Sequence, residues 1–214
     1  MDRIDFLGCS WMTLPLLFDI AFESRGIRNF RLAKNIPVAG EPMLRLKGNF
    51  YMYSVYEPGE QVELEMGKLF FGVVGPPGKS RVYDHFRDSL HIDRAWFINL
   101  IHPLSYAATS AELDSGILLE PGVIVSSQTS IGFGVSVKRG VSIGHHSRVD
   151  DFTEINPGAI LAGNVHVGQA CILGAGCVIR DGVTIGEKTL IGMGSVVTED
   201  VPCLLYTAPS PRDS

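Results

Sequence analysis

A chain of 214 residues, 45% hydrophobic and with 24 glycines, is sized for one medium domain or two small ones. A formal charge of −5, with no basic run and no interleaving of aromatic and basic residues, argues against a nucleic-acid partner. Met1-Asp2-Arg3 begins no charged-then-apolar leader and no apolar stretch is long enough to span a bilayer, so a cytoplasmic protein without membrane insertion is expected.

Arg3 to Gly8 reads as a short buried strand ending at glycine. Thr13 is placed to cap a helix, Pro15 suits its first turn, and Leu16, Leu17, Ile20 and Ala21 form an apolar face running to about Glu23. Strand, glycine turn and helix open a nucleotide-binding α/β unit. Between Ile36 and Met66 the aromatic run Phe50 to Tyr56 is β-prone, but its partner is not legible. Lys68 to Gly75 predicts a buried strand, Ser80 to Ser89 a helix with Val82, Phe86 and Leu90 on one face, and Arg94 to Ile101 a further strand. Gly75-Pro76-Pro77-Gly78-Lys79-Ser80 invites a phosphate-loop reading, yet Val73 stands where that motif needs glycine and two prolines lack N–H groups.

From Ser110 to Val201 an aliphatic residue returns at every sixth position: Leu113, Leu119, Val125, Ile131, Val137, Ile143, Val149, Ile155, Leu161, Val167, Leu173, Ile179, Ile185, Ile191 and Val197. In a chain of this composition such a series has odds of roughly one in 10⁵. Two places before each lies a smaller or β-branched residue, from Val123 and Thr129 to Thr189 and Ser195, so both point to one side of a short strand. Glycine often follows the aliphatic residue, as in Ile143-Gly144 and Leu173-Gly174, which permits a bend. Short strands bent at a fixed interval predict a solenoid whose rungs hide one another's inner faces. Cys171 and Cys177 fall on the small inward positions; with Cys9 and Cys203 they form no CxxC pair and read as free thiols, and no metal is expected.

The repeat resembles the hexapeptide pattern of left-handed parallel β-helix acyltransferases, three hexapeptides to an 18-residue triangular coil and about five coils here. The left hand is implied by that resemblance; crossover chirality alone predicts the opposite. With an α/β piece ahead of it and Asn99-Leu100-Ile101-His102 leading in, the chain resembles the bacterial sugar acetyltransferases that include the acetyltransferases of UDP-linked 4-amino sugars and of sialic acid hydroxyls. The implied architecture is an N-terminal small α/β, Rossmann-like domain that binds a sugar nucleotide over residues 1–103, then an all-β left-handed parallel β-helix over 104–202. Residues 203–214, CLLYTAPSPRDS, resemble translated sequencing-adapter read-through and are set aside as an artefactual or frayed tail; relatives end on a short Gly-x-Pro-Ala segment.

The resemblance implies acetyl-CoA as cosubstrate, a nucleotide-sugar acceptor and a homotrimer with the cosubstrate between adjacent solenoids. The family's Ile-x-His segment followed by Pro-Gly-Ala matches Ile143-Gly144-His145-His146 through Ile155-Asn156-Pro157-Gly158-Ala159, which places the general base on His145. Imidazole, titrating near pH 6.5 when unperturbed, suits proton removal from an amine or hydroxyl at about neutral pH. One coil on is Gly163, about 4.8 Å away by sheet spacing, and its backbone N–H is expected to meet the thioester oxygen. Relatives commonly carry an acidic residue after the catalytic histidine, where this chain has His146, and often a second histidine where it has Glu154. Glu154 lies half a coil from His145 and is expected to reach that ring only across a subunit boundary. Gly174, Ala175, Gly192 and Met193 are expected to line the pantetheine arm, and Gly8, Cys9, Ser10 and Gly75 the acceptor. The acceptor loop departs from the family's Gly-x-x-Gly-His-Gly, with Trp11, Met12 and Thr13 in place of its later residues. Alternatives remain open: hydroxyl acceptors, a zinc hydratase of the γ-carbonic anhydrase type using His145, His146 and His166, whose adjacent histidines are expected to point apart, and a non-catalytic sugar-nucleotide-binding scaffold.

Overall fold

A computed structural model describes residues 2–36 and 50–204, in two compact units, one ending at His102 and the other starting at Pro103. The first contains strands β1 (Ile4–Leu7), β2 (Asn29–Ala33), β3 (Met52–Tyr56) and β4 (Leu69–Phe71) and helices α1 (Leu14–Arg25) and α2 (Pro76–Leu90). The four strands form one parallel sheet in the order β3-β2-β1-β4. β1 and β4 are buried throughout, as parallel strands covered on both faces must be. Phe18 of α1 stacks on Phe30 with centroids 4.0 Å apart, and Phe6 lies 5.6 Å and 5.7 Å from the two rings. The one charge on β1, Asp5, is 1% exposed and accepts hydrogen bonds from Arg31 Nε at 2.8 Å and Arg3 Nε at 2.9 Å. Burial of this carboxylate therefore comes with two fixed cations.

Several expectations change here. The aromatic segment's partner is β2, paired in parallel from Asn29–Met52 to Ala33–Tyr56; alternation names a buried face but never a neighbour. Thr13 makes no side-chain cap, its hydroxyl lying 3.2 Å from that of Ser10, and Phe18 replaces the half-buried Leu16 on the apolar face. α2 begins at Pro76, because the first helical positions need no N–H, and Leu90 at its end is 40% exposed. Arg94 to Ile101 is not one strand: Asp93 accepts from the Ala95 N–H at 2.8 Å and starts a 3₁₀ turn over Arg94–Trp96, leaving a single parallel bridge from Phe97 to Leu69 and a two-residue strand at Leu100–Ile101.

The second unit is a parallel β-solenoid of two-residue strands, from Tyr106–Ala107 to Val196–Val197. Each strand pairs with the one 18 residues on, as Ile143 with Leu161 and Leu161 with Ile179, and the rungs stack into three sheets. Every aliphatic residue of the six-step series is buried except Leu113, which is half-buried, and the smaller residues two places before them are buried too. Inward hydroxyls join successive coils: Thr129, Ser147 and Thr153 donate to the carbonyls of Gly144, Ala162 and Gly168 at 3.0, 3.2 and 2.9 Å. Small polar residues alternate with aliphatic ones inside because a corner carbonyl lies within their reach. Cys9, Cys171 and Cys177 are buried free thiols, each pushed up to about 11 by burial, whereas Cys203 is exposed.

The glycines after the aliphatic positions do not serve as left-handed hinges. A Cβ on Gly144 would stand 2.4 Å from the Ala162 carbonyl oxygen, and one on Gly174 2.5 Å from the Met193 nitrogen, so these residues admit the next coil's backbone. The left-handed residue comes two places later and also recurs every sixth position, through Gly140, His146, Phe152, Gly158, Asn164, Ala170 and Gly176. The winding continues through Leu204, whose N–H donates to the Glu187 carbonyl at 2.9 Å; the remainder of the set-aside tail lies outside the described residues.

Candidate active site

His145 and Gly163 occupy one corner of the solenoid on successive coils. The strands before them pair in register, and the Asn164 N–H donates to the His145 carbonyl at 2.8 Å. The imidazole lies over the bare α-carbon: a Cβ on Gly163 would be 2.7 Å from His145 Cε1 and 2.8 Å from Nε2. Among the described residues the Gly163 N–H donates to no protein acceptor and His145 Nε2 has no partner. A free N–H at the second corner position is shared with other coils; an imidazole lying over the neighbouring α-carbon is particular to this one.

His146 packs directly against the His145 ring. Its left-handed backbone, φ 57°, turns its ring perpendicular to that of His145, and the two Nδ1 atoms lie 3.1 Å apart. The adjacent rings therefore converge, contrary to the expectation that they diverge. A hydrogen bond between two Nδ1 atoms holds one proton. With His145 as donor, its Nε2 keeps the lone pair and faces Gly163, the tautomer a base requires.

His166 goes elsewhere. Its Nε2 is 3.0 Å from Asp150 Oδ2, while Arg148 Nε donates to Asp150 Oδ1 at 2.6 Å. Burial raises the Asp150 pKa, but these two partners outweigh it and hold the carboxyl below its ordinary value. Among the described residues no three His, Cys, Asp or Glu side chains gather as a metal site.

Glu154 is not a solvated surface group. It is 9% exposed, and Lys138 Nζ donates to it at 2.6 Å and to Asn156 at 3.2 Å. Its strand belongs to a different sheet from the strand leading to His145. Gly174 and Ala175 stack under Gly192 and Met193, the Gly194 N–H donating to the Ala175 carbonyl at 2.9 Å and Met193 being 80% exposed. These four occupy another corner from His145, at the opposite edge of the sheet that carries Ile143 and Leu161.

In the first unit, Gly8 and Gly75 follow the carboxyl ends of the neighbouring strands β1 and β4. Gly8 has φ 74°, and a Cβ there would press on Val73 and Val82 at 2.7 and 2.8 Å; its N–H donates to Ala33, and that of Ser10 to Gly72, both at 2.8 Å. Two amides of the expected acceptor loop are thus engaged by the fold. Cys9 is 9% exposed, and Trp11 Nε1 is buried without a partner among the described residues. Gly75, at the start of α2 with φ 79°, has open space where a side chain would be. A cavity of about 570 Å³ opens beside the ends of β2 and β3, walled in part by Lys34, Tyr56, Glu57 and His85, and none of the four predicted acceptor residues lines it. Sequence reasoning missed these wall residues because they come from the ends of β2 and β3 and from α2, which only the fold brings together. It also missed Asp181, which counting one further coil from Gly163 would have found.

Residues 164–199 match the model of the bacterial transferase hexapeptide (six repeats). No curated protein matches by sequence. Among solved structures, a histidine mutant of perosamine N-acetyltransferase from Caulobacter crescentus, in complex with CoA and GDP-perosamine, is 21% identical over 97% of this chain and 94% of its own, with a TM-score of 0.75. WeeI from Acinetobacter baumannii AYE is 16% identical over 99% and 98%, with a TM-score of 0.74. The acetyltransferase domain of PglB from Neisseria gonorrhoeae FA1090, in complex with acetyl coenzyme A, is 18% identical over 96% of both chains, with a TM-score of 0.64. No helix of the described residues is long and apolar enough to cross a membrane. The resemblance to bacterial sugar acetyltransferases is thereby borne out: the chain carries the bacterial transferase hexapeptide repeat and, over nearly its whole length, shares the fold of these proteins.

Proposed function

We propose that this protein transfers the acetyl group of acetyl-CoA to the amino group of a nucleotide-linked amino sugar. The observation that carries the reading is the imidazole of His145 lying against Gly163, whose amide has no protein acceptor. His145 Nε2 removes the proton from the attacking amine, the Gly163 N–H donates to the thioester oxygen as it gains negative charge, and attack is direct, without a covalent enzyme intermediate. Structural neighbours crystallised with CoA, acetyl coenzyme A or GDP-perosamine support the same substrates here. The first unit holds the nucleotide. Its parallel order changes direction between β1 and β4, the kind of place where α/β sheets bind ligands, next to Gly8, Cys9, Ser10 and Gly75. The nearby cavity falls within the roughly 300–1,000 Å³ of small-molecule sites and extends that surface. Thiol release from acetyl-CoA, measured with a panel of UDP-, GDP- and dTDP-linked amino sugars, tests the reading; no release with any of them would overturn it.

The working unit in this reading is a homotrimer, because Gly174, Ala175, Gly192 and Met193 reach the His145 corner only from a second copy. The outer side of the sheet between those corners supports it. Tyr106, Ile124, Ile160 and Val196, 60%, 50%, 47% and 61% exposed, stack in register with Ser142 and Val178, an apolar row where a soluble face would be polar. Ile160→Asp is expected to shift the mass in light scattering from three chains to one. A wild-type monomer would dismiss the trimer.

Glu154 enters the same reading as the residue a neighbouring copy presents to His145, which requires it to share or leave Lys138. Glu154→Gln is then expected to lower kcat about tenfold with little change in KM for acetyl-CoA. Unchanged turnover would remove Glu154 from the site.

A further inference from the structure

We propose that Asp181 is a specificity-determining residue of the His145 corner: its carboxylate holds the acceptor's ammonium group beside the imidazole and so selects amines over hydroxyls. The inference rests on the transferase reading above. It starts from the winding, in which 145, 163 and 181 take the same position on three successive coils. The Gly182 N–H donates to the Gly163 carbonyl at 3.0 Å, just as the Asn164 N–H donates to that of His145. The point a Cβ of Gly163 would occupy is 2.8 Å from Asp181 Oδ1 and 2.8 Å from His145 Nε2. The imidazole nitrogen and a carboxylate oxygen therefore both border the space in front of the bare α-carbon. Asp181 is exposed, and its contact among the described residues is a long one, from Asn164 Nδ2 at 3.4 Å, so the carboxylate is available to a ligand.

That arrangement treats the two acceptor classes differently. An aliphatic amine with a pKa of about 8 enters at neutral pH largely as ammonium, whereas a sugar hydroxyl enters uncharged. Both can donate a hydrogen bond to the carboxylate, but only the ammonium adds the attraction of opposite charges. The ammonium first gives one proton to solvent. The freed lone pair then attacks the thioester carbon, forming the C–N bond while the carbonyl π pair moves onto the oxygen facing the Gly163 amide. His145 Nε2 takes the second proton from nitrogen. The C–S bond breaks with its pair on sulfur, and His145 returns that proton to the thiolate, leaving the amide and the free thiol of CoA. Asp181 exchanges no proton; it places the nitrogen beside the base.

The test compares wild type and Asp181→Asn on UDP-, GDP- and dTDP-linked 4-amino-6-deoxyhexoses, each beside its 4-hydroxy counterpart, by thiol release from acetyl-CoA. The wild type is expected to prefer the amine. In Asp181→Asn, kcat/KM for the amine should fall about tenfold, the loss usual for a hydrogen bond to a charged group, while that for the hydroxyl stays within about twofold. An amine-to-hydroxyl ratio unchanged in Asp181→Asn, or an equal fall for both acceptors, would overturn the assignment and leave the transferase reading intact. A wild type that turns over neither acceptor in any pair would overturn that reading, and this assignment with it.

Discussion

Replacing His145 with asparagine is expected to lower kcat for the proposed acetyl transfer by about 10²- to 10⁴-fold, the contribution of a positioned general base. The side chain is exposed and its one described hydrogen-bond partner is the equally exposed His146, so the thermal midpoint should change little. KM for acetyl-CoA is expected to hold as well. Steady-state kinetics beside a melting curve check both halves of the expectation. Thiol release that persists at the wild-type rate in the variant would remove the base from His145, even if the protein proved to be a transferase.

Gly163→Ala separates activity from stability in another way. The residue is not in the left-handed region, so alanine is tolerated by the backbone and by itself is expected to leave stability within about 1 kcal/mol of wild type. Its methyl group, however, would stand 2.7 Å from His145 Cε1 and 2.8 Å from both His145 Nε2 and Asp181 Oδ1. Both are ends of flexible side chains and can swing away, which is why folding is spared. The ring would then leave its place over the α-carbon, and a displacement of about 1 Å at a reacting centre costs on the order of 10²-fold in rate. A variant that melts like wild type but has lost about a hundredfold in kcat/KM is the expected result. Equal activity would show that neither the bare α-carbon nor the ring's position on it matters to the chemistry.

The solenoid was legible because burial in it is periodic. A residue such as Ile155 is inside for the same local reason as Leu161 and Val167, so the pattern repeats without reference to distant parts of the chain. The corner glycines were read for the wrong reason. Gly144 and Gly174 mark where the next coil's backbone presses in, and the left-handed position two residues on is taken as readily by His146, Asn164 or Ala170, which carry no glycine signal. The first unit was legible for β1, α1 and α2, whose apolar runs and proline position are local. It was not legible for β2, whose alternation, Asn29-Phe30-Arg31-Leu32, is only four residues long, nor for Arg94 to Trp96, where the Asp93 side chain closes a turn over strand-like residues.

The order of residues alone determined that this chain winds in steps of six, because burial recurs at that interval; that three steps close a coil, so that 145 and 163 share a corner, was implied by the hexapeptide resemblance and is seen in the pairing of strands 18 residues apart. Only the tertiary structure decided what meets at that corner. The His145 ring against a bare α-carbon, the His146 nitrogen behind it and the Asp181 carboxylate bordering the same space are set by backbone angles and side-chain directions. Hydrophobic periodicity carries no record of these, since every one of the groups faces outward.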